Sequence, residues 1–110
     1  MDREYELILT VVNRGFSDDV MEAARSAGAS GGTILHARGS GVHAMQEFFG
    51  ISIQPEKEIV MILVPHALSH AVLQSIRDNA GLSKPGRGLA FALPVDDVVG
   101  IMHKLEKDNA

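Results

Sequence analysis

The sequence predicts an α+β domain in which two strand–helix–strand halves share one antiparallel sheet. Three observations predict it. β-rich and helical runs follow each other in the order β-α-β-β-α-β. Turn residues separate these runs at Asn13-Arg14-Gly15, Gly31-Gly32 and Asn79-Ala80-Gly81. The 110 residues suffice for one hydrophobic core and are too few for two, so residues 1–110 form a single domain.

The first strand is Glu6-Leu7-Ile8-Leu9-Thr10-Val11-Val12. Ser17 then reads as an N-cap, with Asp18 and Asp19 complementing the dipole of a helix that ends at Gly28. Val20, Ala24 and Ala27 give that helix its apolar face, with Met21 adjacent. Thr33 to Arg38 is the second strand, and a loop runs from Gly39 to about Gln54. Glu58-Ile59-Val60-Met61-Ile62-Leu63-Val64 is the third and most hydrophobic strand. Pro65 ends it and opens a helix bearing Leu68, Val72 and Ile76, which stops near Gly81. Leu89 to Val95 is the fourth strand, and Asp96 is placed to cap a short last helix from Asp97 to about Lys104.

This order is the split βαβ arrangement called ferredoxin-like, and right-handed crossovers put both main helices on one sheet face. The third strand, however, is apolar on both sides: Ile59, Met61 and Leu63 alternate with Val60, Ile62 and Val64. The first strand likewise sets Leu7, Leu9 and Val11 against Ile8 and Val12. A strand with a wet face alternates apolar and polar residues, so the face away from the helices is expected to be buried against further copies of the chain.

Composition excludes several classes. The apolar fraction is 45%, and no run approaches a membrane span. The charged start Met1-Asp2-Arg3-Glu4 is not a signal peptide, and a cytoplasmic location is the default expectation. Without cysteine there is no disulfide, thiolate nucleophile or Cys-based metal site. A net charge of −4, with Lys and Arg scattered, argues against nucleic acid as a partner. No nucleophile–base pair is readable from spacing, so no enzyme activity is expected.

Two Gly-x-Gly stretches remain: Arg38-Gly39-Ser40-Gly41, and Lys84-Pro85-Gly86-Arg87-Gly88 before the fourth strand. Each is either an ordinary turn or a cradle in which backbone N–H groups converge on an anion, with Arg87 adding charge.

Taken in order over nearly the whole chain, these pieces resemble the PII nitrogen-regulatory signalling family. That family has a ferredoxin-like fold, forms homotrimers, binds ATP or ADP in clefts between subunits and often senses 2-oxoglutarate. Its T-loop, between the second and third strands, reaches target proteins. Gly32 to Gly41 is similar to the family's second strand and T-loop base, with Thr33 at the adenine-contacting threonine and Gly39 and Gly41 at the Gly-Phe-Gly turn. Lys84, Gly86, Arg87 and Gly88 are similar to the phosphate-wrapping B-loop, and Ala90 to Val99 looks like the strand and helix after it. The resemblance implies Thr33, Gly39, Gly41, Lys84, Gly86, Arg87 and Gly88 as effector-binding residues. Leu89 replaces the B-loop lysine, Gly100 and Met102 the two phosphate-clamping arginines, and Val42 and His43 an arginine and a glutamine. Losing three cations around a triphosphate removes contacts of roughly 1.5–3 kcal/mol each. The expected effector is therefore an adenine nucleotide with fewer phosphates (ADP or AMP) or ATP held weakly. The loop contains no tyrosine, so uridylylation there is not available.

Within the loop, His43, Met45, Phe48, Phe49 and Ile51 form either a segment folded back on the trimer or a surface for a protein target. His66 and His70 have a metal-capable spacing but no evident third ligand, and read as exposed helix polars. His36 and His43 flank the first cradle and support an alternative, a divalent-metal-binding trimer like the CutA proteins. A structural trimer with no ligand is the other alternative.

Overall fold

The computed structural model describes residues 4–39, 46–48, 51–53 and 55–100. Strand β1 (Tyr5–Asn13) leads into α1 (Ser17–Ser26), followed by β2 (Thr33–Arg38). Two short strands, β3 (Gln46–Phe48) and β4 (Ile51–Ile53), precede β5 (Glu56–Pro65), α2 (His66–Asn79) and β6 (Gly88–Val95). The main sheet has the order β2-β5-β1-β6, with antiparallel pairing throughout. This is the ferredoxin-like arrangement.

Period-two alternation divides the strands between two faces. Toward the helices, Ile8 and Val12 of β1 and Val60, Ile62 and Val64 of β5 are buried against Val20, Ala23 and Ala24 of α1 and Val72 and Ile76 of α2. Thr10 lies among them, fully buried, and among the described residues its hydroxyl finds no hydrogen-bond partner.

Among the described residues no helix lies on the opposite face. Cross-strand register builds three apolar rows there: Leu63-Leu7-Leu93, Met61-Leu9-Phe91 and Leu35-Ile59-Val11-Leu89. Leu35, Leu89, Phe91 and Leu93 are each at least 39% exposed. The two-sided hydrophobicity of β1 and β5 is thus a property of the folded chain.

Three local expectations change. Ser17 is the first residue of α1 rather than its N-cap, and no side chain at the preceding position caps the helix. Instead Glu58, from β5, accepts the Gly15 and Ser17 backbone N–H groups at 2.9 and 3.2 Å. A carboxylate anchored in the neighbouring strand satisfies the helix start better than a local hydroxyl. The loop between β2 and β5 holds regular structure, since β3 and β4 pair as an antiparallel ribbon. Asp97 to Val99 are not helical, and residues 101–104 of the expected last helix lie outside the described residues.

At the other end of the sheet, Glu6 of β1 accepts the Ser69 hydroxyl at 2.7 Å and pairs with His66, both in the first turn of α2. The Gly15 and Ser17 bonds hold the Glu58 carboxyl below the usual glutamate range, and the Ser69 and His66 bonds do the same for Glu6. A depressed folded pKa means the unfolded chain binds more protons in acid. The stabilisation is therefore whole above the unfolded value of about 4.3 and is lost as pH falls through the lower folded values. Glu58→Gln is expected to cost about 1–2 kcal/mol at pH 7 and much less near pH 3, read from urea midpoints at fixed protein concentration. An equal cost at both pH values would show that the Glu58 charge does not hold α1.

Candidate functional site

Strand direction brings the two glycine stretches to the same end of the sheet. β1 and β2 finish there, while β5 and β6 begin there. Gly39 follows the edge strand β2, and its N–H bonds the Pro55 carbonyl at 3.3 Å, closing the base of the long loop. Gly86 and Gly88 introduce the other edge strand, β6. Two strands intervene, so the stretches lie three strand spacings apart, about 14 Å. A small anion cannot touch both within one chain.

The second stretch is a tight turn. The Arg87 N–H bonds the Lys84 carbonyl at 3.4 Å, Pro85 takes the next position, and Gly86 has φ +78°. Proline followed by a left-handed glycine is the type II pattern. Gly88 serves another need: at φ +138°, a Cβ there would overlap the Val11 carbonyl oxygen. Each glycine thus has a backbone role of its own.

Arg87 lies over the Phe16 ring, its guanidinium carbon 4.7 Å from the centroid, and packs against Gly81. It ties the turn to the residue before α1 by a cation–π contact. Lys84 is exposed. Thr33 is exposed at the far end of β2, beside Met61 on the open face, so a ligand touching Thr33 and Gly39 would lie along the β2 edge. Leu89 is 55% exposed on the open face, and Gly100 has φ +98°. Gly41, Val42, His43, Met45, Phe49 and Met102 lie outside the described residues. Phe48 closes β3 and Ile51 opens β4, as a directly paired position of the ribbon.

The sequence reading missed an open groove of about 460 Å³ at this sheet end, lined by Arg14, His36, Ala37, Arg38, Glu56 and Lys57. Arg14 pairs with Glu56, and His36 stands 3.8 Å from Glu58. The pairing of β5 with β2 on one side and β1 on the other brings these cations together; the local signal was Arg38 beside Gly39. Lys57 donates to the Asn13 side-chain oxygen at 2.6 Å. Among the described residues no three His, Asp or Glu side chains group to hold a metal, and no helix is long and apolar enough to cross a membrane.

The family model for Nitrogen regulatory protein P-II matches residues 5–104. Among solved structures, the chain resembles Arabidopsis thaliana PII bound to citrate, with a TM-score of 0.71 and 25% sequence identity. That match covers 91% of this chain and 85% of the other. No curated protein matches. With the ferredoxin-like sheet, and the glycine stretches at one end of it, these matches establish the assignment: the chain belongs to the PII family of nitrogen regulatory proteins and is a PII-like signalling protein.

Proposed function

We propose that the chain works as a homotrimer that takes a small anionic effector in clefts between subunits and reports it through the 39–54 loop. The observation that carries this reading is the placement of Gly39 and Gly86–Gly88 at one sheet end on opposite edges. Copies packed through their open apolar faces can bring the β2 edge of one against the β6 edge of another. An adenine nucleotide along β2 would then have its base near Thr33 and its phosphates near Gly39, with Lys84 and Arg87 supplied by the neighbour. With Leu89 in place of a cation, ADP or AMP is the favoured ligand over ATP. Citrate, bound by the Arabidopsis relative, is a second probe of the same anionic chemistry. The effector state would pass to a protein target through His43, Met45, Phe48, Phe49 and Ile51.

Calorimetry with ADP, ATP and citrate tests the reading, alongside light scattering. Arg87→Ala should weaken ADP binding by about 1.5–3 kcal/mol and leave the assembly intact. Equal affinity in that variant would remove Arg87 from the site, and no heat with any of the three anions would sink the effector assignment.

A further inference from the structure

We propose that Asn13 is a positioning residue that couples the glycine turn to the base of the long loop within each subunit. The side-chain amide of this last β1 residue is used on both sides. Its nitrogen donates to the Gly86 carbonyl at 3.2 Å, and its oxygen accepts the Lys57 ammonium at 2.6 Å. These two demands fix the amide's orientation, since the flipped form would set donor against donor and acceptor against acceptor.

Both partners sit where a signal would start and arrive. Gly86 is the left-handed residue of the turn whose closing bond is Arg87 N–H to Lys84 C=O. Lys57 is directly opposite Asn13 in the β1–β5 register and opposite Ala37 in the β5–β2 register. The Lys57 stem lies against Gly39, its Cγ 3.8 Å from where a Gly39 Cβ would stand. Gly39 in turn closes the loop base through Pro55. A continuous path therefore runs from Gly86 through the Asn13 amide and Lys57 to Gly39, across β1 and β5. A shift of the turn that draws the Gly86 carbonyl away frees the amide to rotate, which loosens Lys57 at the loop base.

The inference rests on the effector reading for the direction of the signal, but the mechanical link exists without any ligand. The test accordingly uses ligand-free, full-length protein and native-state amide exchange by NMR. Two amides report: Arg87 N–H for the turn and Gly39 N–H for the loop base. Asn13→Ala should speed exchange at both by about three- to tenfold, the loss of one ordinary hydrogen bond at each. Asn13→Asp keeps the acceptor for Lys57 but has no donor for Gly86. It should speed Arg87 and leave Gly39 at the wild-type rate, a selectivity that general destabilisation would not produce. Lys57→Met should speed Arg87 in the wild-type background and have no further effect on it in Asn13→Ala. An unchanged Arg87 rate in Lys57→Met, or Asn13→Asp releasing both amides equally, overturns the coupling. Because no nucleotide is present, neither outcome depends on whether the effector assignment holds.

Discussion

Replacing Leu9 by glutamate is expected to convert the proposed trimer into folded monomers. Leu9 sits at the middle of the open face, with Met61 and Phe91 as its cross-strand partners. Burying one leucine is worth about 1.5–3 kcal/mol, and in the proposed trimer it counts three times, or roughly 5–9 kcal/mol per assembly. Three carboxylates at the same place add several kcal/mol each unless they escape to water. The fold should survive, because Leu9 points away from the core built by Ile8, Val12, Val60 and Ile62. Sedimentation equilibrium should therefore give the mass of one chain with an unchanged far-ultraviolet spectrum. A Leu9→Glu protein that still sediments at three times the chain mass would show that copies meet through another surface.

Gly88→Ala should be the most damaging of the small substitutions. A methyl group there meets the Val11 carbonyl oxygen and stands 3.1 Å from Val12 Cγ1, at a backbone angle that side chains rarely adopt. Neither neighbour can yield cheaply, since both belong to the central strand β1. A loss of about 3 kcal/mol or more is expected from strain and displaced pairing together. Gly86→Ala has open space around its Cβ and bears only the left-handed φ, a cost of about 1–2 kcal/mol. Urea unfolding of the two variants should separate them clearly. Equal losses would mean that β6 steps aside from Val11 without penalty.

These glycines show what the sequence could and could not convey. The runs Glu6–Val12, Thr33–Arg38, Glu58–Val64 and Leu89–Val95 are strands in the folded chain, because their β-branched and aliphatic content acts locally. The doubled apolar pattern of β1 and β5 correctly marked a face that the helices leave open. The capping of α1 was not legible, because its acceptor, Glu58, arrives from 41 residues away. Nor was the stacking of Arg87 on Phe16, for the same reason. The ribbon of β3 and β4 had one readable signal, the alternating Ile51-Ser52-Ile53 after Gly50, which the length of the loop obscured. For the candidate site, the residue types could be seen but not the distance between them. Only the sheet order shows that Gly39 and Gly88 stand on opposite edges.

Two glutamates, the buried Glu58 and the half-buried Glu6, also bear on how the domain assembles. Glu6 belongs to the first strand–helix–strand half and holds the start of α2, which belongs to the second. Glu58 belongs to the second half and holds the start of α1, which belongs to the first. Each half thus lends the other a carboxylate at its helix start, Glu58 taking the Gly15 and Ser17 backbone N–H groups and Glu6 the Ser69 hydroxyl and the His66 ring. A fragment ending before β5 would keep the α1 sequence but leave the N–H groups of Gly15 and Ser17 without Glu58, and a fragment beginning at β5 would leave Ser69 without Glu6. Neither half can then form an autonomous folding unit, and the main sheet with its two helices should unfold in a single transition rather than half by half.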